Sequence, residues 1–464
     1  MSEHLLWAPQ AWINGPGGSG RWEQNVCLAV DAQGHWADIT PNIPTPPAHA
    51  TVLPGPALPG LVNAHSHAFQ RAFAGLAERR ESAADDFWSW RDRMYGVALR
   101  ITPAQLRAVA AQLYVELLQG GYTQVCEFHY LHHQPDGQPY ADEATMAWAV
   151  ADAAADAGMG LTVLPVLYER AGFAQPALRP DQRRFAGTPD FIARLQRSVQ
   201  AARRPLLNAG VSIHSLRAAA LESIDALLVQ VGDIDMPIHI HIAEQMQEVR
   251  DCLAATGQRP IAWLNQRWKI DARWQLVHAT HTEQAEIDAV ARSGAGIVIC
   301  PSTEGNLGDG FADLPAWLTA GVPMALGSDS HVGRQWPEEL RWLEYGQRLR
   351  LQQRNVAAAP TQQPATAARL LDAALQAGGP AAGLENWGLQ RGARADLLVL
   401  DTQASGLRGV PASHQLDALV FASHGAPLSE VWVAGHRRIA QGRHVDQDRI
   451  ARDFDATMQA LWSI

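Results

Sequence analysis

A chain of 464 residues is too long for one small domain and long enough for a large core plus an accessory unit. Its apolar fraction of 47% and charged fraction of 18% are those of a globular protein, and a formal charge of −10 with no basic stripe argues against nucleic acid as a partner. No apolar run approaches membrane-spanning length and Met1-Ser2-Glu3-His4 does not begin a signal peptide, so the expectation is a cytoplasmic protein with no membrane partner.

Residues 1–55 read as short strands separated by turns, at 5–7, 11–14, 26–30 and 34–38. Eight short apolar segments then follow, at 60–64, 123–128, 161–167, 210–213, 237–242, 274–277, 295–300 and 322–326. Amphipathic stretches rich in Ala, Leu, Gln and Arg lie between several of them, at 103–118, 142–157, 191–203, 221–231, 243–255 and 283–292. Strands alternating with helices predict a parallel sheet. Eight units over roughly 280 residues fit a (β/α)8 TIM-like barrel better than an open doubly wound sheet, and no GxGxxG follows the first strand. A helix is predicted at 364–377, with the proline at its first position. Strand-like segments return at 395–400, 418–421, 430–433 and 436–439, and the tail 447–462 reads as a helix. The expected organisation is a small β-sandwich from residues 1–55 and 390–445, a barrel over 56–389 and a C-terminal helix over 446–464.

In such a barrel the active site lies at the C-terminal ends of the strands. The residues just past each segment are polar: His65/His67, His129/Tyr130, Tyr168/Glu169, His214/Arg217, His241/Glu244, His278/His281, Ser302/Glu304 and Asp329/His331. Packing does not explain a full ring of them. Alternate residues of a strand share a face, so His65 and His67 point at one spot. With His241 and Asp329 they form a candidate site of three imidazoles and one carboxylate, suited to a borderline metal such as Zn²⁺, one ion per chain. His239 shares a face with His241, but His241 is nearer the strand end and has Glu244 three residues on. Glu244 is placed to move a proton between activated water and a leaving nitrogen, and His278 to stabilise developing charge. Asp329 is the alternative to Glu244 as first acceptor of the water proton.

The four cysteines (Cys27, Cys126, Cys252, Cys300) show no CxxC spacing, so neither disulfides nor a thiolate zinc site is expected. The sole lysine, Lys269, falls in a polar connection rather than at a strand end. That disfavours a metal pair bridged by a carboxylated lysine; a carboxylate-bridged pair stays open.

The segments Pro59-Gly-Leu-Val-Asn-Ala-His-Ser-His67, His241-Ile-Ala-Glu244, His278 and Ser328-Asp-Ser330 resemble the mononuclear aminohydrolase branch of the amidohydrolase superfamily. Further stretches resemble its formimidoylglutamate deiminase family. These are His67-Ala-Phe-Gln-Arg71, Ala74-Gly-Leu-Ala-Glu78, Phe87-Trp-Ser-Trp-Arg91, Gly121-Tyr-Thr-Gln-Val-Cys-Glu-Phe-His-Tyr-Leu-His-His133 and His214-Ser-Leu-Arg217. The resemblance implies metal-dependent deimination of N-formimino-L-glutamate to N-formyl-L-glutamate and ammonia in histidine degradation. It also implies a substrate shell of Gln70, Arg91, Tyr130, His214 and Arg217. A dicarboxylate calls for local arginines in an acidic protein, since arginine grips carboxylates bidentately. Arg91 falls in an aromatic segment that reads as a lid. Expected partners are this small dicarboxylate and a second copy of the chain in a homodimer. A nucleobase-type aminohydrolase and a non-catalytic metal-binding protein are the alternatives, and intact Glu244 and His278 weigh against the latter.

Overall fold

The computed structural model describes residues 4–14, 19–80 and 87–463; the reading of residues 1–3 lies outside them. Eight parallel strands close into a barrel: Leu61–Ser66, Tyr122–His129, Gly160–Leu167, a fourth strand in two pieces (Leu207–Ala209 and Val211–Ile213), Ile238–Ile242, Trp274–His278, Gly296–Ile299 and Met324–Leu326. The eighth strand pairs with the first, Leu326 opposite Asn63, which completes the ring. Strands covered by helices outside and by packed side chains inside are buried on both faces, so polar residues such as Gln124, Glu127 and His239 are buried with the apolar ones. Gly210 breaks the fourth strand: a Cβ there would lie 2.4 Å from the Pro237 carbonyl oxygen.

The helices lie where the amphipathic spacing puts them, with Pro103–Gln119, Thr145–Ala157, Pro189–Ala201, Leu221–Val231, Met246–Thr256 and Gln284–Ser293 on the outside of the barrel. Thr102 caps the first of these through a reciprocal pair with Gln105. The helix predicted at 364–377 runs Thr366–Ala381, so Pro364 precedes it rather than opening it, and Ala365 takes the extended conformation of an N-cap.

Both ends of the chain build a separate sheet. Its order is Arg443–His444, His436–Ala440, Leu428–Val433, Leu397–Leu400, Ala57–Pro59, His4–Asn14, Gly20–Val30 and Trp36–Thr40, with Thr51–Val52 beside His4–Asn14. The segments predicted at 5–7 and 11–14 are one strand. Ala57–Pro59 is the seam: it pairs parallel with His4–Asn14 and antiparallel with Leu397–Leu400, then enters the first barrel strand through Gly60. Leu6, Val26, Trp36 and Leu397 belong to a core distinct from that of the barrel. The strand expected at 418–421 is instead part of the helix Gln415–Phe421. Its buried residues Leu416, Leu419 and Val420 follow helical spacing, which a window starting at Ala418 does not reveal.

Asp372, on the helix Thr366–Ala381, ties that helix to the end sheet by accepting from the Gly20 N–H (2.9 Å) and Trp12 Nε1 (3.3 Å). Burial pushes its carboxyl up to about 6, against the lowering effect of these hydrogen bonds. A folded-state value above the unfolded one favours the protonated form, so its contribution to stability is full below about pH 4 and lost as pH rises through about 6. Asp372→Asn keeps the acceptor and removes the charge. It is expected to unfold about 1–2 kcal/mol later than the parent at pH 7–8, the gap closing towards pH 4, in thermal melts across that range.

Candidate active site

The strand ends carry strained backbone. Ala243, His278, Ala279, Asp329 and His331 all have positive φ (53°, 72°, 47°, 48° and 66°), a region that residues other than glycine seldom occupy. Such strain gathers at functional sites, where the surrounding structure holds it in place. Asp329 is laced into the first strand: its N–H donates to the His65 carbonyl (3.0 Å) and its carbonyl accepts from the His67 N–H (3.2 Å).

These contacts bring His65, His67, His241 and Asp329 together. His65 Nε2 lies 2.9 Å from His241 Nε2 and 3.5 Å from Asp329 Oδ1, and His67 Nε2 is 3.4 Å from the same oxygen. His67 Nδ1 donates to the Phe128 carbonyl (3.1 Å), which leaves Nε2 with its lone pair turned to the cluster. Burial holds all three imidazoles neutral, with His67 pushed down to about 3 and His65 and His241 well below the usual range. It also pushes the Asp329 carboxyl up to about 7. Neutral nitrogens and one carboxylate oxygen converging in a buried centre are the donor set of a divalent metal ion. His239 Nε2 instead meets the Ala381 carbonyl (2.8 Å). Lys269 is exposed, and the fourth strand ends in His214 rather than a carboxylate.

Beside the cluster sits His278. Its Nε2 faces Glu244 Oε1 (3.7 Å) and Asp329 Oδ2 (3.8 Å), and its Nδ1 lies 3.3 Å from Glu304 Oε1. Burial opposes its protonation, yet Glu244, Glu304 and Asp329 outweigh this and push it up to about 10. Glu304 also accepts from the Cys300 N–H (2.9 Å), so its position is fixed by the start of the helix Pro301–Leu307. The Glu244 N–H donates to Glu248 Oε2 (3.2 Å).

One cavity is lined by His67, His241, Glu244, His278 and Asp329 together with Gln70, Arg91, Tyr130, His214 and Arg217; the Tyr130 ring packs on His67 (4.9 Å) and the His214 ring on His241 (5.1 Å). His65 does not line it but is fully buried against His241 and Asp329, which do. Gln70 donates to Tyr130 Oη (3.0 Å), while its buried Oε1 has no partner. Arg91 comes from the helix Phe87–Ala98, outside the barrel, whereas Arg217 follows the fourth strand. Tyr95, Tyr168 and Phe185, to which the sequence assigns no role, also line the cavity, with Trp90, Met94 and Leu307. Glu127 anchors the ligand loop by accepting from Ser66 Oγ and the Ala68 N–H, both at 2.7 Å. A lone carboxylate inside the fully buried strand Tyr122–His129 was the available signal for it.

A model of the amidohydrolase family matches residues 57–438. The chain belongs to the amidohydrolase family. Among relatives of this amidohydrolase is a formimidoylglutamate deiminase from Pseudomonas aeruginosa, 46% identical over 438 residues, covering 93% of this chain and 95% of that protein. A crystal structure of an amidohydrolase from Brucella melitensis superposes with a TM-score of 0.92 at 41% identity, covering 99% of both chains. An adenosine deaminase from Xanthomonas campestris with bound zinc superposes at 0.81 and 22% identity, over 100% of this chain and 99% of that one, a likeness of fold. No helix among the described residues is long and apolar enough to cross a membrane.

Proposed function

We propose that this amidohydrolase is a deiminase that hydrolyses N-formimino-L-glutamate to N-formyl-L-glutamate and ammonia, as a cytoplasmic step of histidine degradation. The reading is carried by the likeness to the Pseudomonas aeruginosa deiminase, 46% identical over 93% of the chain. The cavity supports it, with two arginines, Arg91 and Arg217, lining the same small space as the acid–base cluster. His65, His67, His241 and Asp329 fit a zinc ion by donor type, protonation and convergence. When bound, the ion supplies Lewis-acid activation of water.

The chain's own residues do the rest. Asp329 and Glu244 are the carboxylates placed to take the proton of the attacking water. The water oxygen adds to the formimino carbon, and His278, between Glu244 and Asp329, stabilises the charge of the tetrahedral adduct. Glu244 passes the water's proton to the formimino nitrogen; the adduct's remaining hydroxyl proton then moves through Asp329 or Glu244 to the same nitrogen, so the carbon–nitrogen bond breaks to release ammonia and the oxygen is left as the formyl carbonyl. Gln70 Oε1 is an acceptor for an N–H of the amidine, and Arg91 and Arg217 grip the carboxylates.

An ammonia-release assay tests the reading. N-formimino-L-glutamate is expected to be turned over, and adenosine or a free nucleobase not. Preference for a neutral ring would transfer the assignment to a nucleobase deaminase. Elemental analysis of protein purified without added metal is expected to give close to one ion per chain; two ions, both needed for activity, would overturn the mononuclear site.

A further inference from the structure

Gln182 is fully buried in the short helix Pro180–Phe185, beyond the third barrel strand, and both N–H groups and the carbonyl oxygen of its amide are engaged. Its Nε2 donates to Tyr95 Oη (3.0 Å) and to Tyr168 Oη (2.9 Å), and its Oε1 accepts from the Arg179 N–H (3.0 Å). The two phenols belong to different bodies. Tyr95 is on the helix Phe87–Ala98, one turn after Arg91, whose guanidinium carbon lies 5.6 Å from the Tyr95 ring centroid. Arg179 lies over the same ring (5.7 Å) and binds Asp92 of that helix (3.1 Å). Tyr168 stands at the end of the third barrel strand, its ring 4.1 Å from that of His214 at the end of the fourth, three residues before Arg217.

One glutamine therefore joins the outer helix that carries Arg91 to the barrel rim that carries Arg217. We propose that Gln182 is a positioning residue that sets the separation of Arg91 from Arg217, and thereby selects the length of the dicarboxylate accepted. This rests on the reading of the substrate as a dicarboxylate. The physical basis is rigidity. A helix outside the barrel has no strand ladder to fix it, and a buried amide with both N–H groups and its oxygen engaged holds its partners in one geometry. A misplacement of about 1 Å at a binding group is enough to spoil recognition.

The test uses the metal-loaded enzyme with Gln182→Leu, which removes both arms, and Tyr95→Phe, which removes one arm and leaves the ring under Arg91. The first readout is the ratio of kcat/KM for N-formimino-L-glutamate to that for the homologue one methylene shorter. It is expected to fall about tenfold in each variant, mainly through KM. A purely structural role would lower both substrates alike, and an unchanged ratio overturns the proposal. The second is amide hydrogen exchange, expected to rise about tenfold along Phe87–Ala98 and to stay unchanged in the barrel strands. Unaltered protection of that helix in both variants overturns the tether. If the parent enzyme accepts a monocarboxylate formimino compound as readily as the dicarboxylate, the substrate reading fails, and the exchange experiment still decides whether Gln182 holds the helix.

Discussion

Replacing Glu244 with glutamine is expected to lower kcat by about 10²–10⁴-fold while the metal content stays at the parent level. The substitution keeps the shape, and it keeps the backbone N–H that donates to Glu248. It removes only the group that can carry a proton. Glu244 is 7% exposed and follows Ala243 in left-handed backbone, so its carboxylate is aimed at the cavity by a conformation the neighbouring strands impose. Steady-state kinetics beside elemental analysis separates the chemistry from loss of the ion. Turnover close to the parent rate would move the proton transfer to Asp329 alone.

Arg217→Met and Arg91→Met are each expected to cost about 10–150-fold in kcat/KM for N-formimino-L-glutamate, the worth of a charge-assisted hydrogen bond of roughly 1.5–3 kcal/mol. Part of that binding energy goes to orienting the formimino carbon, so kcat is expected to fall as well. A compound lacking one of the carboxylates should be far less sensitive to loss of the arginine that holds it, because the partner is already gone. Normal turnover of the dicarboxylate by both variants would sink the assignment of these residues.

The barrel was legible because each strand is buried on both faces and ends abruptly in polar residues. The strands around Val125, Ile240 and Ile297 lie within a residue or two of where the sequence segments place them, even though Ile238–Ile242 alternates isoleucine with histidine. The cluster was legible for the same reason: His65 and His67 are two apart at a strand end, and His241, not His239, is the imidazole against His65. The helix Gln415–Phe421 was misread because its apolar spacing extends beyond the four residues that resemble a strand. Glu304 stood out as a strand-end residue, but its partnership with His278 Nδ1 arises from the turn of a later helix and leaves no local mark. The same holds for Gln182 and Tyr95, which lie 87 residues apart and meet only through the tertiary fold.

The seam between the two ends of the chain has a consequence for biosynthesis. Ala57–Pro59 leads directly into the strand that bears His65, yet one of its neighbours is Leu397–Leu400, and the Gly60 carbonyl at the junction accepts from Trp387 Nε1, 327 residues downstream. On the ribosome, the stretch holding the first two histidines emerges long before the segments that fix its register. Closure between the first and eighth strands also waits for Leu326. The nascent polypeptide thus carries His65 and His67 with no assembled centre until the last third of the protein has been made.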